Sequence, residues 1–169
     1  MLMLKILFVF IIFQRLAEVF IAKKNEKKLK KRGAIEFGKE HYKYFIILHS
    51  TFFISIIIEN TFLQVIEFGF LPSIFIIFII LQLARVWVIS TLGERWNTKI
   101  IVLPSEKLVK KGLYKYIKHP NYLIVTMELI IIPLLFHAYI TAVIFSICNF
   151  MLLKVRIKEE NKALLYSIE

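Results

Sequence analysis

The stretch YLIVTMELIIIPLLFHAYITAVIFSICNFMLL, residues 122–153, decides the fold because it holds two apolar segments separated only by His137. The segments, Tyr122–Phe136 and Ala138–Leu153, are short for membrane spans, since a helix rises about 1.5 Å per residue and the hydrocarbon core is about 30 Å thick. We therefore predict a tight helical hairpin. Pro133 lacks a backbone donor and is predicted to bend or end the first of its two helices.

Longer apolar segments precede this hairpin, and each is long enough to cross a bilayer. They are Leu2–Ala22, Phe45–Val65 and Phe68–Leu92. The chain is thus predicted to have an all-α, integral membrane fold with about five transmembrane helices. We expect a single domain over residues 1–169, with three N-terminal helices in 1–92 and a loop, the hairpin and a charged tail in 93–169.

The composition supports a membrane protein and argues against nucleic-acid binding. The 169 residues are 59% hydrophobic, with a mean hydropathy of +0.71, yet the formal net charge is +11. Lys and Arg number 23, and 20 of them lie in residues 23–43, 92–118 and 154–169, beside the apolar segments. Short basic loops of this kind mark the cytosolic side of membrane proteins. We expect a multi-pass protein of the cell membrane with its N-terminus outside and these segments in the cytosol.

Cysteine usage and the N-terminal sequence exclude two other interpretations. The single cysteine, Cys148, supports neither a disulfide framework nor a zinc site, and we expect no metal. No small-residue cleavage motif follows the first apolar segment, so we expect a retained span and not a cleaved signal peptide.

Charged and polar residues inside the apolar segments are costly, at roughly 2.5–3.5 kcal/mol for a charge at the middle of a span. They are Arg15, Glu18, His49, Arg85 and Glu128. Arg15 and Glu18 are three apart and share a helix face, which favours a structural ion pair. In the predicted topology Arg15, His49, Arg85 and Glu128 lie at similar depth. They could line a water-reachable cavity or extend separately to the interface. Arg85 and Glu128 could touch substrate or each other.

The tract KGLYKYIKHPNYL, residues 111–123, contains the strongest candidate binding residues. Gly112 permits a tight turn and Pro120 suits the first turn of a helix. His119 and Asn121 would then lie beside a helix N-terminus, which favours an anion. Aromatic faces that could stack on a base or attract a cation come from Tyr114, Tyr116 and Tyr122. The alternative is that these tyrosines and lysines are ordinary anchors at the membrane interface.

The tail LLKVRIKEENKALL supplies a second set of candidates. Arg156 lies three residues before Glu159 and four before Glu160, so all three would face one side of a helix that continues the last span. The alternative is a solvated, charged helix end. Because the hairpin is antiparallel, we predict that His119 and Tyr122 meet Arg156 and Glu160 at the cytosolic surface.

These two motifs together resemble the isoprenylcysteine carboxyl methyltransferase family. GLYKYIKHPNYL matches its G-x-Y…R/K-H-P-x-Y tract, and RIKEENKALL matches its R-x-x-E-E ending. Upstream, QRLAEVFIAKKNEKKLKKRGAIEFGKEHY and ARVWVISTLGERWNTKIIVLP resemble a bacterial branch of the family. The resemblance implies an integral membrane enzyme that transfers a methyl group from S-adenosylmethionine to a lipophilic acceptor.

The resemblance also implies roles for particular residues. It places the cofactor pocket at Leu113, Tyr114, His119, Pro120, Asn121, Tyr122 and Glu159. It places Arg156 and Glu160 where cofactor and acceptor meet. The G-P-Y commonly seen in the family reads Gly112-Leu113-Tyr114 here, and the helix after His-Pro lacks the glycines of many members. The five glycines form no Gly-rich loop after a predicted strand, so a soluble-type cofactor site is not expected.

The bacterial branch is associated with methylation of alkylpyrone-type polyketides, which we take as the expected acceptor, with a polyketide synthase as its possible supplier. Arg156 would orient a carboxylate acceptor, whereas Glu160 would take the proton of an enol or phenol. The alternatives are a prenylcysteine carboxyl methyltransferase, a phospholipid N-methyltransferase, an NADPH-dependent membrane reductase and a non-enzymatic scaffold. The expected partners are a lipophilic small molecule and membrane lipids.

Overall fold

Five helices and a two-stranded ribbon make up the described part of the chain, residues 2–62, 71–104 and 108–166 of a computed structural model. In chain order they are α1 (Leu2–Lys31), β1 (Ile35–Phe37), α2 (Lys39–Phe62), α3 (Pro72–Leu92), β2 (Ile100–Val102), α4 (Pro120–Leu135) and α5 (Tyr139–Tyr166). The predicted all-α architecture with five helices is confirmed. The predicted boundaries at Val65 and Phe68 lie outside the described residues.

The helices have the surface of a membrane protein. Within the described residues, α2, α3 with the turn after it, and α5 are long and apolar enough to cross a bilayer. Their exposed faces hold large apolar side chains, whereas buried positions include Glu59, Arg85 and Asn149. The exposed apolar faces suit a lipid environment, because lipid is as apolar as a protein core. The shorter helix α4 has 16 residues.

Helix α1 continues beyond the apolar segment that was predicted to end at Ala22. The residues that follow are mostly Lys, Glu and Leu, which are good helix formers. The helix ends at Lys31, and Gly33 follows with a φ of +87°, the left-handed conformation that favours glycine. The Ala34 N–H donates to Leu29 and the Gly33 N–H to Lys30, which satisfies the last carbonyls. Lysines near this end also complement the helix dipole.

The first of two compact units comprises the described residues of 1–39, 92–108 and 159–169. The antiparallel ribbon aligns Ile35 with Val102. Asn25, which is buried on α1, donates to the Gly93 carbonyl at 3.1 Å and to the Trp96 carbonyl at 2.8 Å. The Asn25 side chain therefore holds the turn after α3 against α1. Arg15 and Glu18 form the predicted ion pair, at 2.9 Å.

A charge cluster joins α1 to the ribbon in this unit. Lys99 donates to Glu26 at 2.8 Å, and Lys30 donates to Glu26 at 2.5 Å and to Glu36 at 2.6 Å. Burial raises the pKa of both carboxyls, but the hydrogen bonds and charges of the two lysines outweigh it, so the pKa of Glu26 and that of Glu36 are lowered. These carboxylates are therefore stabilised in the folded protein.

The second unit comprises residues 40–91 and 109–158. Arg85 on α3 forms a buried ion pair with Glu128 on α4, with its Nε 2.9 Å from Oε1. Gln82 donates to the same oxygen. Arg85 and Glu128 therefore contact each other, whereas contact of either residue with substrate stays a prediction. His49 places Nδ1 2.8 Å from the Phe45 carbonyl. The water-reachable cavity stays a prediction.

The α4–α5 hairpin has the predicted tight turn at His137. Its φ is +54°, and the chain reverses there with the Ala138 N–H donating to Pro133 and the His137 N–H to Leu134. This is the bonding pattern of a left-handed helix cap, which glycine usually occupies. Pro133 lies two residues before the end of α4, in agreement with the prediction that it would bend or end this helix.

Glu59 on α2 caps the start of α5 from another helix. Its carboxylate accepts the backbone N–H groups of Ile140 at 2.9 Å and Thr141 at 2.8 Å, and the Thr141 hydroxyl at 2.7 Å. The first N–H groups of a helix have no partner within it, and the positive end of the helix dipole favours an anion. The buried Glu59 carboxylate thus accepts hydrogen bonds from the first N–H groups of α5. Its own charge is stabilised by the three donors.

We expect acid to destabilise the protein through the charge cluster on α1. Because Glu26 and Glu36 have folded-state pKa values below 4.5, their contribution to stability is complete above that pH and is lost as the pH falls through the lowered values. The melting temperature, measured by tryptophan fluorescence in detergent, should therefore be lower at pH values below about 4.5 than at neutral pH. The double variant Glu26→Gln/Glu36→Gln should show a smaller fall, unlike the exposed control Glu40→Gln. An equal fall in all three proteins would contradict this.

Glu59→Ala should lower the melting temperature by about 4–8 °C, because a lost helix cap costs up to about 2 kcal/mol. Thr61→Ala is the matched control, since this exposed residue on the same helix bonds to the carbonyl of Ile57 in its own helix. Its melting temperature should change by no more than about 2 °C. Equal effects of the two substitutions would show that the Glu59 cap does not stabilise the hairpin.

Candidate functional site

The His-Pro-Asn-Tyr tract forms the start of α4. His119 is the N-cap residue and Pro120 occupies the first helical position, as predicted. Proline suits this position because its fixed φ matches the helix and its missing N–H would have had no helical partner. The His119 carbonyl accepts the Tyr122 N–H at 3.2 Å, which closes the first turn. The tract therefore holds its side chains in a fixed order around one helix end.

Tyr122 links this helix start to α5. Its ring stacks on the His119 ring with centroids 5.3 Å apart and an interplanar angle of 14°. The Nε of Arg156 donates to the Tyr122 hydroxyl at 2.9 Å. The Arg156 guanidinium carbon also lies 4.8 Å from the Phe45 ring centroid and 5.4 Å from the Tyr122 ring centroid. We call His119, Tyr122, Arg156 and Phe45 the Arg156 cluster.

The Arg156 cluster fixes a guanidinium between aromatic rings. Cation–π contacts and a charge-assisted hydrogen bond both orient the group, and a planar guanidinium suits a planar anionic oxygen pair. The contact of Tyr122 with Arg156 is the one that the antiparallel hairpin predicts. Phe45 was not predicted here, because in sequence it is one of many aromatic residues at the start of an apolar segment.

Gly112 sets the position of the loop before the cluster. Its φ is +56°, and a Cβ there would lie 3.0 Å from the Thr91 hydroxyl and 3.1 Å from the Trp87 indole nitrogen. Glycine is therefore required both by the backbone conformation and by the close approach to α3. The 3₁₀ turn that begins at this residue contains Leu113 and Tyr114, both half-buried.

Asn121 offers a buried acceptor at the second position of α4. Its Oδ1 is shielded from solvent and has no hydrogen-bond partner among the residues that the structure describes. Buried polar atoms in native proteins nearly always have partners, and an unsatisfied one costs about 1–3 kcal/mol. A bound ligand with an N–H or O–H donor would satisfy this atom.

Glu159 and Glu160 lie on the part of α5 that belongs to the first unit. Glu159 accepts Lys162 Nζ at 2.8 Å, and its Cβ is 3.6 Å from the position of a Cβ built on Gly38. Gly38 has a φ of +61°, so a larger residue there would be strained and would crowd Glu159. Glu160 is half-buried. Its predicted meeting with His119 and Tyr122 stays a prediction.

Sequence reasoning assigned no role to Asn161, Gly38 or His41. The Oδ1 of Asn161, one position after Glu160, is also buried without a hydrogen-bond partner among the described residues. Gly38 and His41 lie in the segment FGKEHY, whose family resemblance was noted without assigning roles to its members. That resemblance was the available signal for them. The roles of all the predicted site residues stay predictions.

Tyr122→Phe should remove the hydrogen bond to Arg156 while preserving the ring stack. A hydrogen bond to a charged group is worth about 1.5–3 kcal/mol, so we expect the melting temperature in detergent to fall by about 3–12 °C. Tyr116→Phe is the matched control, because this tyrosine of the same tract is 79% exposed. If both variants melt like the unmodified protein, the Arg156–Tyr122 bond does not hold the hairpin together.

Comparison with known proteins identifies the family of this chain. The sequence profile of the isoprenylcysteine carboxyl methyltransferase (ICMT) family matches residues 74–166, which include α4, α5 and the loop before them. The chain is 47% identical over 159 residues to a Bacillus subtilis (strain 168) protein named "Uncharacterized protein YpbQ", covering 94% of this chain and 95% of that protein.

A Haemophilus influenzae protein, also named "Uncharacterized protein", is 34% identical over 166 residues, which is 97% of this chain and 96% of that protein. No solved structure matches the chain significantly. The family match covers more than half of the sequence and includes both halves of the hairpin. The chain therefore belongs to the isoprenylcysteine carboxyl methyltransferase family.

Proposed function

We propose that this membrane protein is an S-adenosylmethionine-dependent O-methyltransferase that acts on a lipophilic acceptor. Membership of the ICMT family implies a methyltransferase. The observation that supports the proposal most directly is the Arg156 cluster, in which Tyr122 of the His-Pro-Asn-Tyr tract bonds to Arg156 of the R-x-x-E-E motif. The two family motifs, 34 positions apart in sequence, thus meet at one place in the hairpin.

The proposed cofactor suits the residues at the start of α4. Methyltransferases of the ICMT family use S-adenosylmethionine, which supplies an electrophilic methyl group on a sulfonium centre when bound. The residues proposed to hold it are Leu113, Tyr114, His119, Pro120, Asn121, Tyr122 and Glu159. The buried Asn121 oxygen requires a donor, which the amino and hydroxyl groups of this cofactor can provide. A carboxylate such as Glu159 would attract a positive centre.

The acceptor would be oriented by Arg156. A carboxylate acceptor is already a nucleophile, and a guanidinium can hold it by two parallel hydrogen bonds. For a hydroxyl acceptor, we propose Glu160 as a group that takes the proton. Alignment of the reacting atoms and exclusion of water are the main requirements of such a transfer. The ring contacts of Arg156 with Phe45 and Tyr122 favour this role, because they limit its rotation.

A lipophilic acceptor agrees with the apolar outer faces of the helices. Large exposed side chains such as Leu83, Met151 and Phe150 would contact lipid, so an acceptor with a long tail could approach from the bilayer. We propose that the basic segments, and with them the site, face the cytosol at the cell membrane and that the N-terminus lies outside. An alkylpyrone-type polyketide made by a polyketide synthase is the proposed acceptor. The prenylcysteine carboxylate is the second candidate.

Transfer of a labelled methyl group tests the proposal. Membranes containing the protein, incubated with methyl-labelled S-adenosylmethionine and an alkylpyrone, should yield label in the lipid extract. His119→Ala should reduce that label at least about tenfold, since the substitution removes the ring that stacks on Tyr122. Lys118→Ala is the matched control, because this neighbouring side chain is exposed.

The other products distinguish the alternatives. Label in protein only would favour a prenylcysteine acceptor, and label in phospholipid headgroups would favour an N-methyltransferase. Oxidation of NADPH without any methyl transfer would favour a reductase. No label in any fraction, with each acceptor class supplied, would overturn the proposed function.

A further inference from the structure

His41 lies one helical turn before Phe45 on α2, in the same unit as the whole Arg156 cluster. Side chains four positions apart on a helix share a face, with their Cβ atoms about 5–6 Å apart. The Phe45 ring lies directly against the Arg156 guanidinium, at 4.8 Å. The α2 face that meets the cluster through Phe45 therefore also holds the His41 imidazole.

The Nδ1 atom of His41 is buried and has no hydrogen-bond partner in the described part of the chain, although the residue as a whole is half-buried. A buried ring nitrogen without a partner costs about 1–3 kcal/mol. His49, two turns further along the same helix, provides the contrast. Its Nδ1 lies 2.8 Å from the Phe45 carbonyl, so its ring has a structural partner within the helix. The helix therefore satisfies one histidine and leaves the other available to a ligand.

We propose that His41 is a further catalytic residue, which binds a hydroxyl acceptor through Nδ1 and takes its proton. This inference rests on the proposed methyltransferase function, and it assigns the proton of a hydroxyl acceptor to His41 in place of Glu160. His41 lies on α2, a helix outside the two family motifs. Nδ1 must then be the unprotonated nitrogen of the neutral ring, which is an acceptor for an O–H donor. Histidine is suited to this role because a neutral imidazole nitrogen can accept a hydrogen bond and then the proton.

Transfer to a hydroxyl acceptor moves one proton and one methyl group. The acceptor O–H bond breaks and its proton passes to Nδ1 of His41, while an electron pair of the oxygen forms the new O–CH₃ bond. The bond from the methyl carbon to the cofactor sulfur breaks, and sulfur keeps its electrons as a neutral thioether. The protonated His41 then releases its proton to water. A carboxylate acceptor is already ionised and needs no such base.

Two acceptors of different ionisation state test the role of His41. The first probe is 5-pentadecylresorcinol, a lipophilic phenol whose hydroxyls resemble that of tyrosine and are protonated at pH 7.5. The second is N-acetyl-S-farnesylcysteine, whose carboxylate is ionised at the same pH. His41→Gln should slow methyl transfer to the phenol by about 10²–10⁴-fold and transfer to the carboxylate by less than about fivefold. Imidazole added to His41→Ala should restore part of the transfer to the phenol.

Binding without cofactor supplies a second readout. The affinity for 5-pentadecylresorcinol, measured by calorimetry in detergent, should fall about fivefold in His41→Ala, as expected for one lost hydrogen bond. Lys43→Ala is the matched control, since this lysine also lies near the start of α2 and is exposed. It should leave both the affinity and the transfer rates unchanged. The melting temperature of His41→Ala should stay within about 2 °C of the unmodified protein, because its Nδ1 makes no bond there.

The outcomes separate this inference from the proposed function. Equal transfer by His41→Gln and the unmodified protein to the phenol would overturn the role of His41 and leave the methyltransferase in place. Loss of transfer to both acceptors alike would also overturn it, since a base is needed only for the protonated one. Transfer to the carboxylate alone by the unmodified protein would show that no base is used. No transfer to either probe by the unmodified protein would overturn both proposals.

Discussion

The cost of placing charge in apolar surroundings is the constraint on which this architecture depends. A charge inside a membrane span costs roughly 2.5–3.5 kcal/mol on insertion scales. Arg85 and Glu128 reduce this cost by pairing between α3 and α4, and Glu59 does so by capping α5 from α2. These bonds have defined partners and directions, whereas apolar contact alone gives little preference for one helix arrangement in lipid. Polar contacts therefore specify which helices lie together in the second unit.

The α4–α5 hairpin is held at both of its ends by such contacts. Glu59 binds the start of α5 beside the His137 turn, and Arg156 bonds to Tyr122 at the open end. Between them, Asn149 donates to the Thr126 hydroxyl at 3.1 Å. A hairpin fixed in this way keeps Tyr122 and Arg156 together. Alignment of reacting groups requires such rigidity, because small displacements are costly in transfer reactions.

Parts of the candidate site could be predicted where they depend on local sequence or on the antiparallel arrangement of two consecutive helices. The position of Pro120 in the first turn of α4 and the meeting of Tyr122 with Arg156 follow from helix-start chemistry and an antiparallel hairpin. Phe45 and His41 could not be anticipated in the same way. Phe45 reaches the cluster through packing of α2, and no spacing in the sequence relates position 41 or 45 to position 156.

The sequence by itself determined the helical membrane class, the hairpin with its turn at His137, and the ion pair between Arg15 and Glu18. The membrane class and the hairpin depend on the lengths of continuous apolar segments. The ion pair depends on i,i+3 spacing within one helix. The tertiary structure alone decided that Arg85 pairs with Glu128 and that Glu59 caps α5. These partners are separated by 43 and 82 positions. Their choice depends on how helices pack, which local patterns do not encode.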